Sequence, residues 1–589
     1  MNWTKHLILP VILLAVMAHA AMAVAEGIEE TMDDVVTRLY AEHDPDFLRG
    51  LDTETILSLL TSEERAALAT QYQQFTVDVP ATVYLMRHVK QKVVPYWLPE
   101  AGFEKTSHKV RNEHYTYEVW KKEVPAGRVE LGINGFGKHR PVYFAAVSPQ
   151  DAQDTLHISD HYPAKYDVRT LEPGALTYHD WTELVLTDVP EDLRGAQLFT
   201  TVRGRSREAH LIGGFRTTPH PSSPEPDQVT LTWADDPATT QAIQWRTDTS
   251  VSGGSVRYRP EKAAEDAAWQ TAAAQTVAIQ DRMLMNDRYV HHHTALLEGL
   301  EPDTAYTYRV GDDDGGWSAE TGFTTGPADD APFTFIYFGD THRSPAWGAA
   351  LEEVFAEHPD AKFYTLAGDL VGTGMDRNDW DEFFHEAAGV FDRRPVVPCI
   401  GNHDDQDGLG AGMYLEHFAL PENGPEEVRP EGAYTLRYSN ALFIILDIGS
   451  SEEAQAQWLE EVLANTGAKW KFAMFHFPPY APDEDYPVLR QRFGGLFEEY
   501  GLDLVMTGHV HYYLRTKPIN GGVPAETGTT YITSIAVPYE SDIETPDYAA
   551  AVDTEGPPVH QLVHVSRERL VYTARDADGE TLDAFVIEK

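Results

Sequence analysis

The chain has 589 residues, 42% hydrophobic and 11% aromatic, enough for three or four packed domains at roughly 100–200 residues each. Its 93 Asp and Glu against 46 Lys and Arg give a net charge of −47, spread along the chain rather than held in one tail. A surface of that sign repels polyanions, which excludes a nucleic-acid-binding surface or an anionic membrane as a partner.

The chain starts with a short basic segment ending at His6, an apolar run over residues 7–17, and Ala21-Met22-Ala23. This is the pattern of a secretory signal peptide cleaved after Ala23, with Ala20 as the alternative; its apolar stretch is too short to cross a bilayer. No other segment is apolar for long enough to span a membrane, so the mature chain is expected to be soluble and secreted or periplasmic. The single cysteine, Cys399, rules out an internal disulfide. Its place at the end of an apolar run predicts a small buried residue rather than a nucleophile.

Residues 27–82 predict helices. Met32, Val35, Val36 and Leu39 recur at helical spacing, and Thr61 stands three residues before Glu64 in a capping-box pattern. Residues 83–218 predict a β-rich module of unassigned role, with strand patterns at 115–120, 128–133, 141–147 and 196–202. His157, His161 and His179 fall in it without ligand spacing. A proline-rich linker over 217–226 follows. Residues 227–326 then alternate as a second β-module, whose Leu300–Val310 stretch resembles the tyrosine-corner strand of fibronectin type III domains. His291-His292-His293 lies there, but neighbouring strand residues point to opposite faces, so the three cannot converge on a metal.

From residue 333 strands alternate with helices, the grammar of an α/β layered domain over 333–589. Helices are expected at 349–358 and 380–391. Each apolar strand runs into a polar cluster: Gly339-Asp340-Thr341-His342, Gly368-Asp369, Gly401-Asn402-His403-Asp404, His476, and Gly508-His509-Val510-His511. Carboxylate, amide and imidazole gathered at the carboxyl ends of strands suit a pair of hard or borderline cations, with a carboxylate able to bridge them.

These motifs in this order resemble the metallophosphoesterase (calcineurin-like phosphoesterase) superfamily over residues 333–515, and the β-module before them resembles the N-terminal domain of purple acid phosphatases. The resemblance implies a multidomain chain: a helix-flanked β-sandwich catalytic domain preceded by a fibronectin III-like β-sandwich and an N-terminal helical and β-rich region. It implies two metal ions, with Asp340, His342 and His511 on the first, Asp369 bridging, and Asn402, His476 and His509 on the second. His403 would face a phosphorylated substrate and protonate the leaving group, with Asp404 behind it or in the surrounding shell. One departure stands out. Purple acid phosphatases carry a tyrosine three residues after the bridging aspartate, where this chain has Gly372, and they lack the histidine that this chain places at 342. Imidazole in place of phenolate favours a divalent pair (Mn, Fe or Zn) over a purple ferric site. Arg343, beside His342, is a candidate for a substrate phosphate, and Tyr480, Tyr512 and Tyr513 are expected near the mouth. The expected activity is small phosphomonoester hydrolysis; a phosphodiesterase, or an inert surface-binding protein, are the alternatives.

Overall fold

The computed structural model describes residues 27–589 except 44–46, 49, 165, 179–184, 203–208, 212–215, 265–267, 282, 314 and 406–409. The expected signal peptide and His179 lie outside the described residues. Among these residues no helix is long and apolar enough to cross a membrane.

Helices Ile28–Glu42, Thr53–Leu59 and Ser62–Thr70 open the chain, and the capping box forms: Thr61 accepts from the Glu64 amide while Glu64 accepts from the Thr61 amide. They are not a separate unit. Met32, Val35, Val36 and Leu39 share one core with Phe75, Val83, Leu85 and Val147 of the strands that follow. The boundary expected after residue 82 falls inside strand Ala81–His88, which is central to a seven-stranded sheet; a three-stranded sheet packs beside it. Asn134, past the end of strand Gly127–Leu131, is fully buried, accepting from the Tyr143 amide and bonded to the His210 ring.

The second module is a sandwich of a four- and a five-stranded sheet. Its tyrosine corner is present: the Tyr306 hydroxyl accepts from the Glu301 amide at 2.9 Å. The three histidines on strand Tyr289–Leu297 go separate ways. His291 donates to the Val251 carbonyl, His293 sits between the Thr247 and Thr276 hydroxyls, and His292 stacks on His417 of the next domain at 4.3 Å.

The third domain carries the strands that end at the polar clusters. Its first sheet has the order β3-β2-β1-β11-β12-β13, with β1 (Phe333–Phe338), β2 (Tyr364–Leu366) and β3 (Val396–Pro398) parallel and β11 (Val559–Val565), β12 (Arg569–Asp576) and β13 (Thr581–Glu588) antiparallel. Its second sheet has the order β4-β5-β6-β7-β9-β8-β10: β4 (Tyr434–Tyr438), β5 (Ala441–Ile445), β6 (Trp470–Met474), β7 (Leu504–Thr507), β8 (Tyr513–Thr516), β9 (Thr530–Thr533) and β10 (Ala549–Asp553). Strands β5, β6, β7 and β9 are parallel. Phe335 packs against Phe363, Phe443 and Phe472 at 5.2–5.7 Å between ring centres, filling the space between the sheets. Helix α1 (Pro345–Glu357) starts at a Ser344 cap with proline in its first position, and α2 (Arg377–Glu386) follows β2.

A buried ionic network joins the second module to α2. Arg246 binds Asp381 at 2.6 Å and Asp227 at 2.5 Å, while Arg377 binds Asp287 at 3.1 Å. Arg246, Arg377 and Asp381 are at most 1% exposed, so removing one member strands the others' charges in low dielectric. Asp381→Ala should therefore cost about 3–5 kcal/mol, seen as an earlier chemical unfolding transition; an unchanged transition would show that the network carries no stability.

Candidate metal centre

The parallel strands of both sheets point their carboxyl ends at one place. The first sheet delivers Asp340, Asp369 and Asn402 just past β1, β2 and β3; the second delivers His476 past β6 and His509 and His511 past β7. The glycines ahead of these residues make room for them. A Cβ on Gly508 would lie 2.1 Å from Asp340 Oδ1, and one on Gly401 would lie 2.2 Å from Asp369 Oδ1. His342, Arg343, Asp369 and His509 take left-handed backbone, φ 44–73°, which non-glycine residues adopt only when their surroundings hold them there.

Asp340 Oδ2, His342 Nε2 and His511 Nε2 form a triangle with edges of 3.7, 3.6 and 3.4 Å. Donor atoms about 2.1 Å from a tetrahedral cation stand about 3.4 Å apart, so the triangle fits one. Asp340 Oδ2 is buried without a hydrogen-bond partner among the described residues, an arrangement that costs free energy unless a cation takes the lone pair.

A second cluster lies beside it. His476 Nε2 is 3.2 Å from Asp369 Oδ2, and Asn402 Oδ1 is 3.0 Å from both His476 Nε2 and His509 Nδ1. The outer nitrogens of both rings are engaged. His476 Nδ1 donates to the Ala367 carbonyl at 2.8 Å, and His509 Nε2 donates to Glu484 at 3.1 Å. With both rings neutral, as metal ligands must be, the inner nitrogens, 3.2 Å apart, would turn lone pairs toward each other and the Asn402 oxygen, a repulsion that a cation between them would relieve. Without a cation, burial works against the charge on His476, but Asp369 and Asp340 outweigh it and raise its pKa to about 10. Of three groups of side chains among the described residues whose donor atoms lie close enough to share an ion, Asp369 stands in two, one with His476 and His509 and one with His342 and His403, which puts it between the two clusters. Burial works against its ionisation, but the imidazoles of His476, His403 and His342 outweigh it and hold its pKa well below the carboxylate range.

His403 donates its Nδ1 proton to the Gly372 carbonyl at 2.7 Å and places Nε2 3.9 Å from Asp369 Oδ2. Asp404 does not orient that ring. Its carboxylate is buried and accepts from the amides of Leu370, Val371 and Gly401, tying the loop after β2 to the loop after β3. Arg343 is taken up in ion pairs with Asp379, at 3.1 Å, and Glu382, both on α2. Tyr513 is buried against Asp583, Tyr512 donates to Asp483, and Tyr480 packs on Tyr531 and Tyr548. Cys399 is buried, with its thiol pKa pushed well up by that burial. Glu484 has no counterpart among the residues expected from sequence. It sits in a run of three acids whose spacing carries no signal, and only the fold brings it to His509.

Two sheets with metal-ligand clusters at their shared edge define a metallophosphoesterase domain. Residues 333–513 match the Calcineurin-like phosphoesterase family model, and residues 226–325 match the Purple acid Phosphatase, N-terminal domain model. Residues 333–513 are thus a calcineurin-like phosphoesterase domain, with a purple acid phosphatase-type N-terminal domain directly ahead of it. It is 28% identical over 315 residues to an uncharacterized protein of Mycobacterium tuberculosis, a match covering 46% of this chain and 58% of that protein's length. It is 25% identical over 328 residues to Fe(3+)-Zn(2+) purple acid phosphatase 12 of Arabidopsis thaliana, covering 52% of this chain and 68% of that one. The purple acid phosphatase structure from yellow lupin (Lupinus luteus) seeds shares the fold, with a TM-score of 0.54 at 14% identity over 88% of this chain and 93% of the lupin chain. That coverage reaches into the N-terminal module, for which the sequence suggested no relative.

Glu484→Gln keeps the shape of the His509 partner but removes its charge. It should weaken metal retention by about 10–100-fold, read as metal content after dialysis against graded chelator; retention equal to the unaltered chain would refute the role assigned to Glu484.

Proposed function

We propose that the chain is an exported, dinuclear metal-dependent hydrolase of phosphomonoesters. The observation that carries this reading is the pair of adjoining donor clusters, with Asp369 between them, close to His476 and His509 on one side and to His342 and the His403 ring on the other. When bound, the paired cations supply Lewis acidity and lower the pKa of water toward neutrality. The chain's own part is positioning and proton handling. Asp340, His342 and His511 would hold one ion, Asn402, His476 and His509 the other, and Asp369 both. His403, its Nδ1 fixed on Gly372, presents Nε2 to the phosphoryl group, where it steadies developing negative charge and hands its proton to the leaving oxygen. With Arg343 engaged on α2, the side chain that meets phosphoryl charge is His403 rather than a guanidinium.

The identities of the ligands favour a divalent pair, because His342 stands where a purple site would have its phenolate. Preference for monoesters is supported by the likeness to a plant enzyme named as a phosphatase. The complete donor set speaks against an inert binding protein. Export rests on the composition of residues 7–23.

Purified protein should hydrolyse p-nitrophenyl phosphate faster than bis-p-nitrophenyl phosphate and contain two metal equivalents; the reverse preference would move the assignment to phosphodiesterases. Asp369→Asn should abolish turnover and lose most of one metal equivalent. His403→Ala should keep the metals and slow turnover by roughly 10²–10⁴; a metal-free variant would instead make His403 a ligand. Protein recovered outside the cytoplasm should begin at Val24.

A further inference from the structure

Arg343 stands directly between the metal-ligand candidate His342 and Ser344, the cap of α1. His342 and Arg343 are consecutive left-handed residues, φ 44° and 51°. One such non-glycine residue is uncommon, and two in a row persist only where contacts around them over-determine the turn.

One side of the turn is held by backbone alone. The Thr341 and His342 amides donate to the Asp369 carbonyl at 3.2 and 2.9 Å, and the Arg343 amide donates to the Leu370 carbonyl at 2.8 Å. The other side is held by the Arg343 side chain. Its Nε lies 3.1 Å from Asp379 Oδ2, and its Nη1 pairs with Glu382. Asp379 and Glu382 are three residues apart, neighbours on one face of α2.

That helix is a firm anchor. Asn378 Nδ2 donates to Asp379 Oδ1 at 2.9 Å, and Asn378 Oδ1 accepts from Arg216 Nε at 2.6 Å. Arg216 in turn pairs with Asp281 at 2.5 Å and with Asp376 at 3.1 Å. The opposite face of α2 carries Arg377 and Asp381, members of the buried ionic network. Polar contacts thus run from Asp281 of the fibronectin-like module to the residue beside His342. They lead to the cluster of Asp340, His342 and His511. Asn402, His476 and His509 come instead from the loops after β3, β6 and β7.

We propose that Arg343 is a positioning residue for His342. Through Asp379 and Glu382 it fixes the left-handed turn that aims the His342 ring at one ion, and it acts on that ion and not on the other. The proposal rests on the reading that Asp340, His342 and His511 hold one ion. Ligand geometry tolerates a shift of only about 0.5 Å, and losing a partner that orients a ligand costs about 10–100-fold in metal affinity.

Full-length variants reconstituted with Mn²⁺ and dialysed against graded chelator test it, with metal counted by mass spectrometry. The unaltered chain should keep two ions. Arg343→Ala should release one of them about tenfold or more readily and hold the other as His342→Ala does. Asp379→Asn/Glu382→Gln breaks the same pairs from α2 and should do the same. His342→Ala removes the ligand itself, so adding Arg343→Ala to it should leave the remaining ion's retention unchanged. A merely structural arginine would weaken both ions, or would still act once His342 is gone. Unaltered retention in Arg343→Ala or in the α2 double variant, equal weakening of both ions, or a further loss on top of His342→Ala would overturn the proposal while leaving the two-ion reading standing. Fewer than two ions in the unaltered chain would overturn that reading and the proposal with it.

Discussion

Two hydrogen bonds that cross from one sheet to the other hold the metal centre together. The His509 amide of the second sheet donates to Asp340 of the first at 2.7 Å, and His476 of the second donates to the Ala367 carbonyl of the first at 2.8 Å. The donor atoms are divided between the sheets, so neither sheet can build a ligand shell alone. A slip of about 1 Å between them would spoil both clusters at once, since such geometry tolerates only about 0.5 Å. The phenylalanine packing around Phe335 and the hydrogen bond from the Tyr337 hydroxyl to the Thr507 carbonyl resist that slip from the core side. The left-handed backbone at Asp369 and His509 is affordable because these contacts over-determine it.

Much of the phosphoesterase-like domain was legible in the sequence for one physical reason. Strands β1 and β7 are buried along their whole length and β6 at all but Lys471, so each reads as a largely apolar run, and each run ends abruptly where the chain meets the site. The seven metal-ligand candidates therefore emerged together, and the structure brings all seven into two adjoining clusters. Helix limits were less legible. The first begins at Pro345, four residues before the expected start, because Ser344-Pro345 is a cap signal that apolar spacing ignores. The second covers Arg377–Glu386 rather than 380–391, since residues 387–394 finish as turns.

What stayed hidden depends on contacts between distant segments. Asp404 is adjacent to His403 in sequence, but its carboxylate is drawn to three backbone amides, and a carbonyl 31 residues away takes over the ring. Arg343 has a guanidinium suited to phosphate, yet two acids on α2 claim it first. The unity of the N-terminal helices with their β-module was invisible because the shared core is assembled from residues more than 40 positions apart, such as Met32 and Phe75.

The ionic network between the fibronectin-like module and α2 bears on whether the two modules can be taken apart. Arg246 and Arg377 belong to different modules, yet each finds its counter-charge partly across the boundary, in Asp381 and Asp287. Cutting the chain between them would expose buried charges on both faces with no answering partner, so a fragment of either module alone would carry a surface made for the other.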